Sequence, residues 1–315
     1  EGLSISRSVL STSAKRCGEL LEPVAAQLRR EILAEDIVQT DDSPVTIQKA
    51  STGKAKQGRV WIYRAMDGRC WFDFTESRSR DGPAKVLQDF RGYLQADAYP
   101  GYDAFFHEGG ATEVACWAHA RRRYVQAESS EPDLAAEALR RIGELYAIEK
   151  QAKDLDAETR RVVRERESRP RLLALREWLA TTRTQVLDKG AMAGAIDYTF
   201  SNWDALVCYL EDGRLAPDNN GAERALRGVA VGRKNWLFVG NEGGGRTAAN
   251  LYSLIETAKA AGVDPREYLR DVLLRISTCS DVTKLTPHAW KEHFLPAVEE
   301  RRDAALRRLF ERIQR

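Results

Sequence analysis

The sequence predicts an α/β protein with a mixed five-stranded sheet, flanking helices and a large all-helical insertion. Two observations predict this fold. Between residues 35 and 130, short β-rich runs and helical patterns follow in the order β-β-β-α-β-α-β-α. From about residue 131 to 213 the strand signals stop and long helical patterns replace them. Three hairpin-linked strands followed by αβ crossovers build a sheet with helices on its faces.

Five runs rich in β-branched and aromatic residues predict the strands. The first contains the turn-forming residues Asp42-Ser43-Pro44, and the turn Met66–Arg69 joins the next two because its Asp-Gly pair tolerates positive φ angles. In chain order the predicted strands are 36–47, 59–65, 70–75, 93–97 and 112–117.

Apolar residues at helical spacing predict the helices. One is opened by Asp81 and closed by Gly92, and another begins at Asp264-Pro265. The Gly-rich run 240–245 is not a phosphate loop, because no Gly-Lys-Ser/Thr follows it. The predicted helical segments are 14–34, 81–92, 99–107, a helix after 117 that carries Arg121, Arg122 and Arg123, then 132–151, 156–181, 190–212, 221–230, 247–261, 265–276 and 287–315.

These elements predict five segments. They are an N-terminal helical segment (1–34), the first part of the core (35–130), the helical insertion (131–213), the second part of the core (214–280) and a C-terminal helical extension (281–315). The chain begins at Glu1 without an initiator Met, and we expect it to be a fragment or a processed form.

Composition excludes several classes of protein. The 49 basic and 47 acidic residues give a net charge of +2, so any site for a polyanion must be a local patch. No window reaches the roughly 18 consecutive apolar residues of a membrane span. The five cysteines are far apart, odd in number and without a C-x-x-C pair, which argues against a disulfide framework and a zinc ribbon. A reducing cytoplasm is therefore the expected location.

Three carboxylates are the candidate chemistry. Asp41 ends the first strand and Asp97 ends the fourth, and in a sheet ordered 3-2-1-4-5 these strands are parallel neighbours. Two carboxylates side by side repel each other unless a cation lies between them, and Mg²⁺ prefers such oxygen ligands. Glu223, at the start of a helix, is the best third acid for a two-metal site. A basic cluster for a phosphate backbone follows it, made of Arg224, Arg227, Arg233 and Lys234.

Each of these residues also has a structural interpretation. Asp41 and Asp42 fit turn chemistry, Asp97 fits a helix cap, and Asn220 with Glu223 has the form of a capping box. Arg121–Arg123 fit a solvated helix face.

Two further motifs have structural interpretations as well. Cys116-x-x-His119 resembles a metal half-site, but no second pair is near it in the sequence, so a structural role is favoured. Trp236, Leu237 and Phe238 fit a core position better than a base-stacking platform.

Several collinear blocks resemble the catalytic part of the IS66-family insertion-sequence transposases, over roughly residues 30–276. The blocks are 40–45 (TDDSPV), 94–102 (LQADAYPGY), 116–123 (CWAHARRR), 212–213 (DG), 218–227 (DNNGAERALR), 232–238 (GRKNWLF), 252–259 (YSLIETAK) and 264–269 (DPREYL). The resemblance implies a DDE transposase with an RNase H-like core, interrupted between the second and third acids by the helical insertion 131–213. Asp41, or the adjacent Asp42, matches the first acid, Asp97 the second and Glu223 the third.

The resemblance implies metal-dependent DNA cleavage and strand transfer at insertion-sequence ends, with two Mg²⁺ or Mn²⁺ ions at the three acids. The expected partners are the transposon ends and the target DNA, with a homo-oligomer on paired ends, no membrane, and a cytoplasmic location at the nucleoid. Phosphate contacts are expected from Arg121–Arg123 and from the basic cluster after Glu223, with His119 and Asp218 behind the acids. The alternatives are a catalytically inactive DNA-binding relic, an RNase H-like nuclease, and a two-carboxylate glycosidase that needs no metal.

Overall fold

A computed structural model describes residues 5–48, 55–106 and 110–313 of the chain. Its five strands form one mixed sheet in the order β3-β2-β1-β4-β5. The strands are β1 (Ile37–Gln48), β2 (Ala55–Ala65), β3 (Cys70–Thr75), β4 (Tyr93–Gln95) and β5 (Thr112–Val114). The prediction of a mixed five-stranded α/β sheet is confirmed, and the strand order is the one expected from the sequence.

The hairpin between β2 and β3 is confirmed together with its turn. The two strands pair antiparallel, from Arg59 opposite Thr75 to Arg64 opposite Cys70. Gly68 has a φ of 99°, which explains why the turn uses an Asp-Gly pair.

The other half of the sheet is parallel. β1 pairs with β4, and β4 pairs with β5, each over three residue pairs. Parallel neighbours bring their carboxyl ends to the same edge of a sheet, which is where ligands bind in open α/β sheets.

Helices make up most of the remaining described chain. They are α1 (Arg7–Leu20), α2 (Glu22–Leu33), α3 (Asp81–Leu87), α4 (Trp117–Ala127), α5 (Pro132–Gln151), α6 (Ala157–Val163), α7 (Arg169–Arg183), α8 (Ala191–Ser201), α9 (Trp203–Val207), α10 (Asn220–Trp236), α11 (Glu242–Ala260), α12 (Pro265–Arg275), α13 (Pro287–His293) and α14 (Leu295–Ile313). A π-helical segment, Arg164–Ser168, joins α6 to α7.

Several predicted helices are divided in the structure. The segment 14–34 is two helices that meet at Leu21, because Pro23 has no N–H to continue the first helix and suits the first turn of the second. The segment 190–212 breaks at Asn202, whose side-chain nitrogen donates to Tyr198 O at 2.7 Å. The segment 287–315 breaks at Phe294.

Two glycine-containing segments also differ from expectation. The helix predicted to close at Gly92 ends at Leu87, and a Cβ at Gly92 would lie 2.1 Å from Asp36 O. Gly92 is therefore required by a close approach of two backbones. Helix α11 begins at Glu242, inside the Gly-rich run, because Asn241 Oδ1 accepts from Gly244 N at 2.8 Å. The short helix predicted at 99–107 is 3₁₀ over Pro100–Phe105, and residue 107 lies outside the described residues.

The interpretation of Trp236, Leu237 and Phe238 as core residues is wrong for Leu237 and Phe238, and Trp236 is only partly buried. Leu237 is 64% exposed and Phe238 is 45% exposed. The chain turns at Leu237, which has a φ of 64°, before Val239 forms a bridge with Ile47. The turn directs two apolar side chains outward, and periodicity does not reveal this because a left-handed residue interrupts it.

Contacts divide the chain into two compact units. One unit comprises Asp36–Asp41 and Pro83–Glu223, and its core joins Val114, Trp117 and Tyr124 to apolar residues of α5, α7 and α8. The other unit comprises Asp42–Gly82, Arg224–Arg315 and the N-terminal residues up to Glu35. Its core includes Leu28, Leu254 and Trp290.

None of the helices in the described part of the chain has both the length and the apolar character that a bilayer span needs. All five cysteines are free thiols.

Candidate functional site

The parallel pairing of β1 and β4 determines where the first two acids lie. The register sets Ile37 opposite Tyr93 and Gln39 opposite Gln95. The paired residues end at Gln39 and Gln95, and Asp41 and Asp97 each follow two residues later in the direction of the carboxyl ends of the two strands. Both are partly buried, and Asp41 lies within β1 whereas Asp97 follows the end of β4 by two residues.

The backbone turns immediately after Asp97. Ala98 has a φ of 52°, in the left-handed region that costs a non-glycine residue about 1–2 kcal/mol. The 3₁₀ helix that follows has Tyr99 at its N-cap and no side-chain cap. The N-cap position of this helix is therefore two residues after Asp97.

A glutamine pair lies two residues before the acids and anchors the chain that leads to Glu223. Gln39 Nε2 donates to Gln95 Oε1 at 2.8 Å, and Gln95 Nε2 donates to Ala216 O at 2.7 Å. Both glutamines are buried. Their amides thus replace water for each other and hold the segment before α10 beside the two strands.

Asn219 attaches the start of α10 to the same strand edge. Its Nδ2 donates to Thr40 O at 2.8 Å, one residue before Asp41, and its backbone N donates to Cys116 Sγ at 3.2 Å. Asn219 has no exposed surface. Glu223 lies one helical turn beyond Asn219. The polar residues before Glu223 therefore serve to attach this end of α10 to the strand.

Asp218 supplies the cap of this helix. Its Oδ1 accepts from Asn220 N at 3.1 Å and its Oδ2 accepts from Asn220 Nδ2 at 2.6 Å. The expected capping box assigned the reciprocal bond to Glu223, but Glu223 Oε1 is buried and accepts no hydrogen bond from the described residues. Asp218 is thus a helix cap beside the acids, and Glu223 retains a buried oxygen without a partner.

His119 lies against Glu223. Its Nε2 is 3.7 Å from Glu223 Oε1, which is too long for a hydrogen bond, and its Nδ1 is buried without a partner among the described residues. Burial lowers the pKa of His119, while the carboxylates of Glu223 and Asp97 act in the opposite direction; the net shift is downward. The carboxylates of Glu223 and Asp97 therefore both lie close enough to act on the imidazole.

Asp42 has a different environment from Asp41. It forms ion pairs with Arg59 at 2.9 Å and with Arg78 at 2.8 Å, and only 3% of its side chain is exposed. Two guanidinium groups compensate its charge, so it has little capacity left for a cation.

The candidate phosphate-binding residues fall into two groups. On α4, Arg121, Arg122 and Arg123 are exposed, and Arg123 lies over the Tyr198 ring with 3.9 Å to its centroid. On α10, the exposed cations are Arg224, Arg227 and Lys234. Arg233 differs from them, because its Nη1 donates to Ser43 Oγ at 3.1 Å and to Pro44 O at 2.6 Å.

One side-chain cluster was not foreseen as a group. Candidate ligand atoms of Cys116, His119 and Glu223 all lie within 4.8 Å of one another. The Cys-x-x-His spacing was visible in the sequence, but its third member is more than 100 residues away. Only the fold brings Glu223 to this pair.

The donor chemistry fits a divalent cation. Asp41, Asp97 and Glu223 carry oxygen ligands of the kind that Mg²⁺ and Mn²⁺ prefer, but the group of candidate ligands found within 4.8 Å of one another among the described residues contains Glu223 and neither aspartate. The buried, unpartnered Oε1 of Glu223 is the observation that favours a cation here, since buried polar atoms are otherwise almost always hydrogen-bonded.

Comparison with known proteins gives a consistent result. Residues 1–247 match the model of the transposase IS66 family, and residues 253–288 match the IS66 C-terminal element. The uncharacterized proteins y4hP and y4jD of Sinorhizobium fredii (strain NBRC 101917 / NGR234) are 31% and 32% identical to the chain, over 92% of its length. The chain spans 57% and 60% of the length of these two relatives.

Proposed function

We propose a function from one premise, which is that the chain belongs to the IS66 transposase family. The proposed activity is metal-dependent cleavage of DNA at insertion-sequence ends, followed by transfer of the freed 3′-OH to a target strand. The observation that supports the proposal is the parallel pairing of β1 and β4, which ends two residues before Asp41 on one strand and two residues before Asp97 on the other. In this proposal the sheet is an RNase H-like core and residues 131–213 are its helical insertion.

Asp41, Asp97 and Glu223 are the proposed ligands of two Mg²⁺ or Mn²⁺ ions. When bound, such a pair of ions stabilises the charge on the attacking and leaving oxygens of a phosphoryl displacement. Asp41 is preferred to Asp42 as the first ligand because Arg59 and Arg78 already neutralise Asp42. His119 lies behind Glu223, with its Nε2 3.7 Å from Glu223 Oε1.

The remaining residues bind and position DNA. The exposed arginines 121–123 of α4 and the exposed cations Arg224, Arg227 and Lys234 of α10 are the proposed phosphate contacts. Arg233 is the weakest candidate because it already donates to β1. Catalysis then arises from holding the phosphate and the attacking oxygen in line, within a site of fixed charge.

We propose that the whole protein acts on two transposon ends and a target. We also propose that it does so as a homo-oligomer, in the cytoplasm at the nucleoid.

The substitution Asp97→Asn tests the proposal. With Mg²⁺ or Mn²⁺ and labelled end-containing DNA, we expect nicking and strand transfer to fall by about 10²–10³-fold, the usual effect of removing one electrostatic group from such a site. Chelation by EDTA should abolish the same activity. Asp103→Asn is the matched control, since Asp103 is exposed on the neighbouring 3₁₀ helix.

Undiminished activity of Asp97→Asn would exclude the assigned role. Hydrolysis without strand joining would favour the RNase H-like nuclease, and DNA binding without either reaction would favour the inactive relic. Activity that survives EDTA would contradict a metal mechanism altogether.

A further inference from the structure

The proposed function uses only part of the cluster of Cys116, His119 and Glu223. It makes Glu223 a metal ligand but gives no ligand role to the sulfur of Cys116 or to the ring nitrogens of His119. Within the described part of the chain, no other group of three such side chains brings its candidate ligand atoms as close together. The cluster lies within one compact unit of the chain.

Two adjoining helix starts hold the three side chains in place. Cys116 is the N-cap of α4 and His119 lies in its first turn, so the two side chains share one face. Glu223 lies in the first turn of α10. The two helix starts are tied together, since Asn219 N donates to Cys116 Sγ at 3.2 Å and Trp117 N donates to Pro217 O at 3.0 Å. One bond between backbones and one bond to the cysteine sulfur thus hold the two helix starts together.

The polar atoms of the cluster have unmet bonding capacity. His119 Nδ1 and Glu223 Oε1 are both buried and have no hydrogen-bond partner among the residues that the structure describes. His119 Nε2 and Glu223 Oε1 are 3.7 Å apart, and two ligands of one tetrahedral zinc ion are separated by about 3.4 Å when each bond is about 2.1 Å. A small side-chain movement would therefore suffice for both atoms to reach one ion.

The sulfur lies among donors that favour its charged form. Burial raises the pKa of the Cys116 thiol to about 11, and the backbone N–H of Asn219, which donates to Cys116 Sγ at 3.2 Å, acts in the opposite direction. Without a cation the group remains a neutral thiol. A metal ion supplies the missing positive charge, and binding releases the thiol proton to solvent as the metal–sulfur bond forms.

We propose that Cys116, His119 and Glu223 form a binding site for Zn²⁺ or a similar thiophilic divalent cation. A sulfur, a nitrogen and an oxygen are the three protein ligands of an open zinc site, whereas Mg²⁺ takes oxygen ligands. The site has one consequence that rests on the proposed function: Glu223 serves both sites, so Zn²⁺ withdraws it from the magnesium ligands and inhibits strand transfer.

Cobalt binding tests the site without reference to activity. Co²⁺ added alone to the full chain should produce a thiolate-to-cobalt charge-transfer band in the near ultraviolet, which added Zn²⁺ removes. Cys116→Ser should lose this band, and His119→Gln should weaken Co²⁺ and Zn²⁺ affinity by about 100-fold or more, above the range for residues that only support a ligand. Cys279→Ser and His293→Gln are matched controls outside the cluster and should bind as the unmodified chain does.

A missing charge-transfer band in the unmodified chain, or a band that persists in Cys116→Ser, would overturn the proposal. Cys116 is fully buried, so Cys116→Ser could lose metal binding by disturbing the fold. His119→Gln is the second variant because the His119 side chain is partly exposed and its replacement disturbs the fold less. Zn²⁺ should raise the melting temperature of the unmodified chain and leave that of His119→Gln unchanged; an equal rise in both would contradict the assignment.

Competition between the ions tests the consequence. Zn²⁺ titrated into a Mg²⁺-dependent strand-transfer assay should inhibit the unmodified chain, and the inhibition constant should rise about 100-fold in Cys116→Ser, with each protein normalised to its own zinc-free rate. Cobalt binding without zinc inhibition would refute the sharing of Glu223. A chain without Mg²⁺-dependent activity would refute the proposed function, and the cobalt experiment would still decide the site.

Discussion

Two buried polar clusters in the same compact unit differ in how completely their atoms are bonded. Arg164, which is 1% exposed, donates to both oxygens of Glu149 at 2.8 and 2.7 Å and to the carbonyl oxygens of Tyr209, Asp212 and Leu215. Cys116, His119 and Glu223 form the second cluster, in which two polar atoms have no partner within the described ranges. The first cluster is complete as it stands, whereas the second is complete only with a ligand.

The contrast separates structural from functional polar groups. Both clusters require the desolvation of charged or polar atoms, which is unfavourable unless each atom finds a partner. Arg164 uses its full set of donors to connect the π-helical segment to the residues that precede α10. At the second cluster, two unpaired atoms lie beside a thiol within 4.8 Å, and an ion is the partner that could compensate them together.

Of the variants that test this contrast, Arg164→Met should have the largest effect, and the effect is on stability. Removing one partner of a buried ion pair leaves Glu149 and three carbonyl oxygens uncompensated, which lowers the free energy of unfolding by about 3–5 kcal/mol. Urea denaturation followed by circular dichroism measures the change. Arg166→Met, at a side chain 71% exposed, should leave the denaturation midpoint unchanged. Equal midpoints for both variants would mean that the Arg164 network does not stabilise the fold.

Glu223→Gln should show the opposite pattern. Activity should fall by about 10²–10³-fold, because one electrostatic ligand of the site is removed. Stability should hold or rise, since a neutral amide costs less to bury than an unpaired carboxylate. Strand-transfer rates and thermal melting measure the two quantities, with Glu128→Gln, an exposed glutamate at the end of α4, as the control. A loss of activity explained by a loss of folding would contradict the functional assignment.

The same distinction applies to exposed cations. Arg121 and Arg122 are exposed and form no ion pair with a carboxylate of the described chain, whereas Arg161 is paired with Glu158 and Arg166 with Glu167. Arg121→Gln combined with Arg122→Gln should reduce the slope of log K against log salt by about 0.9 for each phosphate that is no longer neutralised. Fluorescence anisotropy with duplex DNA at several salt concentrations measures this slope. An equal reduction in the Arg161→Gln, Arg166→Gln double variant would point to general charge rather than a defined surface.

The sequence revealed the sheet more completely than the site. Each strand signal depended on local alternation and on turn chemistry, such as the Asp-Gly turn before β3, and the order followed from connection rules. Helix ends were less accurate because tertiary contacts decided them: Gly92 packs on Asp36, and Asn202 bonds back to Tyr198. The pairing of Glu223 with Cys116 and His119 depends on two helix starts meeting in space, for which the sequence carries no local signal.

The smallest expected effect concerns a polar group that is satisfied but exposed. Asp264 caps α12, and its Oδ1 accepts from Arg266 N at 2.8 Å and from Glu267 N at 3.0 Å. Asp264→Ala should lower the free energy of unfolding by about 1 kcal/mol, because two helix N–H groups must then bond to water instead of the carboxylate. Asp303→Ala, an exposed residue within α14, is the control. Cobalt affinity and strand transfer should be unchanged in both variants. A loss of cobalt binding in Asp264→Ala would show that metal binding at the Glu223 cluster depends on the stability of the fold rather than on its unpaired buried atoms.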